Sequence, residues 1–197
     1  MADLITRDEY KSLKNLSQSV KEDGRIDALI DSVSPLVKSY CGNSLVDYFS
    51  TNKTETFNIN WDTHMVQLTE SPVNAIVSVQ EREGYSSDYT TLTTGAQEYF
   101  LDTDTDSVIR TTSGSAYTNW PRGPGAVKIV YTAGWATTPK DLQLAVADLI
   151  TYYMKDEYKT QRNLMSASMQ NKGSSSMRDN VDFPDHIKRV LDLYKNF

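Results

Sequence analysis

Apolar residues recur at helical spacing in several stretches of the chain and as short β-prone runs between them. Ile26, Leu29, Ile30, Val33, Val37 and Tyr40 fall on one helical face. They run into Cys41-Gly42, where a glycine suits the left-handed position just past a helix end. Pro35 lies inside this pattern, so the helix is expected to bend or restart there. Upstream, Thr6 and Glu9 have the spacing of a capping box, followed by Tyr10, Leu13 and Leu16 as a short apolar stripe. A third helix is expected from Thr138 as cap and Pro139 as first-turn residue, with Asp141 near its positive end. Its wide apolar face comprises Leu142, Ala145, Val146, Leu149, Ile150, Tyr153 and Met154. Its continuation from Tyr158 to Met169 is polar and fades into Gln170-Asn171-Lys172-Gly173-Ser174-Ser175-Ser176, which reads as a flexible linker. A last short helix begins near Asp185, carries Ile187, Val190, Leu191 and Tyr194 as its stripe, and ends at Phe197.

Between Asn43 and Thr138 the texture changes. β-prone runs appear at Thr56–Asn60, Met65–Leu68, Ala75–Arg82, Tyr99–Asp102, Val108–Thr112 and Val127–Thr132. Their spacing, with Gly, Asn and Asp between them, predicts antiparallel hairpins or a small barrel-like sheet. Asp62-Thr63 is expected as a tight turn, residues 83–96 as a long polar loop, and Gly123-Pro124-Gly125 as a turn before the last strand. The fold class is therefore α+β: a helical bundle of about four helices with an inserted antiparallel β-rich region. Residues 1–42 and 139–169 form the helical core, 43–138 the β-rich insertion, and 170–197 a linker plus a C-terminal docking helix. There is no internal repeat.

Charge sharpens the division. The chain has 197 residues and a net charge of −6, and the segment 43–138 by itself carries −6. The flanks nearly balance, at −1 for 1–42 and +1 for 139–197. An acidic chain lacks the basic footprint of a sequence-independent nucleic-acid binder. No run approaches 18 apolar residues, and the start lacks a basic-then-apolar leader, so the expectation is a soluble intracellular protein without membrane contact.

Candidate chemistry is sparse. Cys41 is the one cysteine, so neither an internal disulfide nor a cysteine-based zinc site is available. His64 and His186 lie beside no recognisable nucleophile, and Cys41 reads as a small core residue. Asp102-Thr103-Asp104-Thr105-Asp106 has the alternate carboxylates that open a calcium loop. Ser107 stands where that loop needs glycine and Ser113 where it needs a bidentate glutamate, so an acidic turn is the better reading. No nucleophile elbow, phosphate-binding glycine loop or zinc-protease motif is present. The expectation is no enzyme, no catalytic or metal residue and no cofactor. Among the 12 tyrosines, Tyr40, Tyr131 and Tyr153 read as core-capping, whereas Tyr85, Tyr89 and Tyr117 in the polar middle are interface candidates.

Three landmarks together resemble a known family. The first is Leu4-Ile5-Thr6 to Tyr10 followed by Ile26-Asp27-Ala28-Leu29-Ile30-Asp31 and Val37-Lys38-Ser39-Tyr40-Cys41-Gly42. The second is Val127-Lys128-Ile129-Val130-Tyr131-Thr132-Ala133-Gly134-Trp135, and the third Thr138-Pro139-Lys140-Asp141-Leu142 with Ala145 and Leu149. In this order they are similar to the head–tail connector (adaptor) proteins of tailed bacteriophages, over most of residues 4–158. The resemblance implies a non-enzymatic structural protein of the virion neck, assembled in the host cytoplasm. Its partners would be the portal protein, a tail or stopper protein, and further copies of itself in a dodecameric ring. DNA would meet it only as the genome passing through the channel.

By position in related connectors, the C-terminal segment docks on the portal. Here the candidate anchors are Phe183, Leu191, Tyr194 and Phe197, since a short isolated helix needs a docking surface. A chain ending at Gly173 is then expected to keep its fold and lose the portal. A tail-completion or stopper protein, and a carbohydrate- or cell-surface-binding module using the Tyr/Thr-rich β region, are the alternatives.

Overall fold

A computed structural model of the chain describes residues 2–16, 22–112, 116–155 and 183–195. Its elements are α1 (Arg7–Leu13), α2 (Asp23–Cys41), β1 (Lys53–Ile59), β2 (Met65–Gln67), β3 (Val73–Glu81), β4 (Thr90–Leu92), β5 (Tyr99–Asp102), β6 (Ser107–Arg110), β7 (Gly123–Ala133), α3 (Lys140–Met154) and α4 (Asp185–Asp192). Helices and antiparallel sheets make it an α+β protein. The chain forms two compact units, a helical one from residues up to Gly42 and from Thr138 onward, and a β one from Asn43 to Thr137. No helix among the described residues is long and apolar enough to cross a membrane.

In the helical unit, the Thr6/Glu9 pair forms a capping box. The Thr6 N–H donates to Glu9 Oε2 (2.8 Å), and the Glu9 N–H donates to Thr6 Oγ1 (3.3 Å). Of the stripe expected after it, Tyr10 alone is buried, its hydroxyl 3.1 Å from Thr151 Oγ1, while Leu13 and Leu16 stay exposed. Seven residues are too few for α1 to carry a long buried face.

Helix α2 runs unbroken through Pro35 and ends at Gly42, whose φ of 66° lets its N–H reach the Lys38 carbonyl. Pro35 withholds the N–H that would pair with the Asp31 carbonyl. Both residues lie on the exposed face, so that carbonyl has water within reach and the helix need not restart. The buried stripe of Ile26, Ile30, Val33, Val37 and Cys41 holds it on the opposite side.

Helix α3 begins one residue later than expected. Pro139 takes an extended ψ of 144° and occupies the cap position itself, so Thr138 is not the cap. The buried set on α3 differs from the expected stripe, whose Tyr153 and Met154 are only half-buried. Ala147 and Tyr152 join Leu142, Ala145, Val146, Leu149 and Ile150, because α1, α2 and α4 all pack on this helix.

The β unit contains two antiparallel sheets, ordered β1-β7-β3-β4 and β2-β6-β5. A single apolar cluster serves both, drawing Val79, Val127, Ile129 and Tyr131 from the larger sheet and Val66 and Val108 from the smaller. Strand β7 shows the period-2 pattern behind this: Val127, Ile129, Tyr131 and Ala133 are buried, and Lys128, Val130 and Thr132 between them are half-buried.

Three expectations are corrected here. The polar stretch 83–96 contains strand β4, which pairs with the end of β3 through Leu92↔Val79 and buries only Leu92. Three residues with one apolar member are too short to announce a strand. Asp62-Thr63 is not a tight turn but part of an open corner, because β1 and β2 belong to different sheets. Gly123-Pro124-Gly125 is part of β7, pairing across an irregularity between Phe57 and Ile59. There the N–H of Gly125, at φ 60°, donates to Asn58 Oδ1 (2.7 Å).

Gly134 is the tightest point of the β unit. Its N–H donates to the Pro72 carbonyl (2.8 Å), its carbonyl accepts from Asn74 Nδ2 (2.9 Å), and Trp135 N–H donates to the Leu45 carbonyl (2.9 Å). With φ at 92°, a Cβ at this position would lie 2.1 Å from the Leu45 oxygen. Only glycine lets the 43–48 loop lie against the end of β7.

Candidate functional site

The residues expected to carry or exclude chemistry have structural duties. Cys41 is buried, its Sγ 3.7 Å from the Leu191 carbonyl, and burial pushes its thiol up to about 11, so it stays protonated and unreactive. His64 and His186 are exposed. In the acidic turn, the Asp102 carboxylate accepts the Asp104 N–H (3.0 Å) and the Thr105 hydroxyl (2.9 Å). Asp106 accepts the Val73 N–H at 2.8 Å. The carboxylates thus shape the turn, and no group of three or more His, Cys, Asp or Glu among the described residues is placed to hold a metal.

The four C-terminal anchor candidates separate. Phe183 and Leu191 are buried within their own helical unit, together with Ile187. Phe183 meets Tyr40 edge-on at 5.0 Å, the Tyr40 hydroxyl donates to Asp192 Oδ1 (2.7 Å), and Lys195 lies over the Tyr40 ring at 4.1 Å. Tyr194 is half-buried, and its hydroxyl donates to Asp141 Oδ1 (2.7 Å). Phe197 lies outside the described residues, as does the linker expected at 170–176. The expectation for a chain ending at Gly173 is corrected by this packing. It would strip Phe183, Ile187 and Leu191 from the core, at about 2–5 kcal/mol for each large side chain, and could not leave the fold intact. The outward residue of α4's end is Leu193, 78% exposed, which sequence reasoning passed over.

The three interface tyrosines also differ. Tyr85 and Tyr89 both stack on the Arg82 guanidinium, at 4.9 and 4.7 Å. Tyr89 is fixed further by its hydroxyl, which donates to the Gly125 carbonyl (2.7 Å), while Tyr85 remains exposed. Tyr117 is 69% exposed and sits elsewhere, its ring 4.9 Å from that of His64.

Tyr117 borders a feature that the sequence reading missed. Antiparallel pairing puts Met65 opposite Ile109 and Ile109 opposite Phe100, so these three side chains form one row across β2-β6-β5. The neighbouring row, Val66, Val108 and Leu101, turns inward to the core. The outward row leaves Met65 45% and Phe100 58% exposed. Beside it lies a groove of about 650 Å³ lined by Tyr99, Phe100, Asp102, Ile109, Thr111 and Tyr117. The signal was present in the consecutive Tyr99-Phe100-Leu101, which puts a large apolar or aromatic side chain on each face of the strand, but strand type alone does not say which face is covered.

The electrostatics of the β unit reinforce this surface. Three of its five cations are held in ion pairs, and Arg82 and Lys128 lie against tyrosine rings. Lys53 pairs with Glu70 (2.6 Å) and Glu55 (2.9 Å), Arg110 with Glu81 (2.8 Å), and Arg122 with Asp62 (2.5 Å). Burial alone would lower the Lys53 pKa, but the hydrogen bonds its ammonium donates to Glu70 and Glu55 outweigh it and raise it. The surplus carboxylates are left to set the sign of the surface.

The exposed features of this α+β protein are an apolar sheet face, surface tyrosines and a surplus of carboxylates. The family model of head completion proteins matches residues 3–197, and the chain belongs to that family. It is a structural head–tail connector protein of the phage virion. No curated protein matches the sequence. Solved structures share the fold. A chain in the neck of an empty GTA particle computed with C6 symmetry is 16% identical with a TM-score of 0.60, covering 98% of this chain and 90% of that one. A chain of the virion of the native gene transfer agent is 18% identical at TM-score 0.59, with the same coverages. A chain in the neck of the native GTA particle computed with C12 symmetry is 18% identical at TM-score 0.53, covering 100% of this chain and 96% of that one.

Proposed function

We propose that this protein assembles as a homo-oligomeric ring, dodecameric in the mature particle, that sits beneath the portal and offers a surface to a tail or stopper protein. The genome passes through the channel of that ring. The protein performs no chemistry; a helical bundle supplies the ring wall, and the inserted β region supplies contact area. The observation that carries the reading is the family match over nearly the whole chain. The fold shared with neck chains described under sixfold and twelvefold symmetry supports it.

Contact with the portal at the chain's C-terminal end belongs to the same proposal. With Phe183 and Leu191 covered by their own helices, that contact falls to Leu193, Tyr194 and Phe197. The test is the mass distribution of the purified protein, alone and mixed with intact portal complex. A shift to a portal-bound species of many copies is the expected result, and Leu193→Asp should weaken it without changing the circular dichroism. No association with intact portal would overturn the reading in favour of a tail-side or glycan-binding protein.

A further inference from the structure

The exposed row Met65–Ile109–Phe100 and the adjacent groove form an apolar surface with a single charged lining residue, Asp102. Its surroundings are acidic, since the segment 43–138 carries −6 and three of its five basic side chains, Lys53, Arg110 and Arg122, are paired with carboxylates of the same unit. A second β unit is therefore a poor occupant, because it would bring another −6 against the first. A fitting occupant combines apolar side chains with uncompensated positive charge.

One stretch of this chain has that composition. Residues 158–178 contain Lys159, Arg162, Lys172 and Arg178 and no Asp or Glu, giving +4, and they interleave Tyr158, Leu164, Met165, Met169 and Met177. Methionine side chains adapt to irregular apolar surfaces and pack well against aromatic edges such as Phe100 and Tyr117. The stretch belongs to the 27 residues that separate Lys155 from Phe183. Their acidic residues, Asp156, Glu157, Asp179 and Asp182, are confined to the two ends and leave the middle locally positive. At about 3.3–3.6 Å per residue the 27 residues span about 90 Å extended, so a loop anchored at both ends can reach out about 45 Å and return.

We infer that residues 158–178 of one copy dock on the Met65–Ile109–Phe100 face and groove of a second copy, and that this exchange ties neighbouring subunits of the ring together. The inference rests on the ring reading above. Lys or Arg of the incoming segment meets Asp102 and the acidic surroundings, and its Leu and Met side chains cover Phe100 and Ile109. The partner is thus supplied by the chain itself, in trans.

The test uses two full-length variants, Thr94→Cys at the groove and Ser168→Cys in the segment. Cys41 is buried and stays out of the reaction. Rings assembled on portal from an equal mixture of the two, then treated with a short bismaleimide, should give covalent dimers that neither variant gives alone. Replacing 158–178 with a Gly/Ser stretch of equal length keeps the length of chain between Lys155 and Phe183 and should weaken ring association about tenfold or more, as should Phe100→Ser. Rings that form normally yet give no mixed dimer, or a Gly/Ser variant that assembles with unchanged affinity, would overturn this docking and leave the ring reading standing. Wild-type protein that never forms a ring on intact portal would overturn both.

Discussion

Arg110 is the latch between the two sheets of the β unit, and its removal has a calculable cost. From β6 of the smaller sheet it donates through Nε (2.9 Å) and Nη2 (2.8 Å) to the two carboxylate oxygens of Glu81 on β3 of the larger sheet. Its Nη1 donates to the carbonyls of Glu98 and Thr111, both at 2.7 Å. The two side chains are only 14% and 16% exposed, so water replaces little of what is lost. Arg110→Met keeps the aliphatic stem but strands a mostly buried carboxylate and two carbonyls. Breaking one side of a fully buried pair costs about 3–5 kcal/mol, and the residual exposure places this one near the lower end, about 3 kcal/mol. Glu81→Gln retains the acceptor oxygen and should cost about 1 kcal/mol less. In the double variant Arg110→Met/Glu81→Leu no charge is stranded, so much of the loss should return, with a coupling of about 2 kcal/mol.

The assay is equilibrium urea unfolding of the full chain followed by tryptophan fluorescence. Trp61, Trp120 and Trp135 are the three tryptophans and all lie in the β unit, so the signal reports on that unit. With an m-value of about 1 kcal/mol/M, a 3 kcal/mol loss moves the midpoint down by about 3 M. A shift under about 1 M for Arg110→Met, or a coupling indistinguishable from zero, would refute the latch.

Three further outcomes follow from single observations. Gly134→Ala places a Cβ 2.1 Å from the Leu45 carbonyl at a φ of 92°, so strain and overlap together should cost about 3 kcal/mol or more in thermal unfolding; a neutral substitution would contradict the close approach. Pro35→Ala restores a hydrogen-bond donor on the exposed face of a continuous helix and should stabilise the helical unit by about 1–3 kcal/mol, read by circular dichroism at 222 nm; destabilisation would show that the proline is required there. Acid should loosen α4. The Asp192 carboxyl is held below its usual value by hydrogen bonds from Lys195 and then Tyr40. Its contribution is present above the carboxylate's unfolded pKa and disappears as pH falls through the lower folded one. Amide exchange in α4 should therefore quicken on acidification in the wild type beyond any change in Asp192→Asn, and identical pH profiles would count against the clasp.

Local physical signals made much of this protein legible. The capping box, the left-handed Gly42, the apolar face of α3 and the alternation along β7 are rules of one element at a time, and the chain obeys them. The strand at Tyr99–Asp102 was legible to the residue because three consecutive β-prone apolar or aromatic residues, Tyr99, Phe100 and Leu101, run into an acidic turn. The resemblance to head–tail connectors likewise rested on the order of short local motifs. What tertiary structure alone decided is who covers whom. The amphipathic stripe of α4 says that the helix must be buried, but not by which partner, and its own α2 and α3 supply the cover. Met65, Ile109 and Phe100 are 44, 9 and 35 positions apart in pairwise separation, and no local pattern aligns them; strand register does. The same holds for Arg110 and Glu81, which are joined by two sheets meeting over one core. Periodicity reports how much surface an element must hide, while topology chooses the surface that hides it and the surface left for a partner.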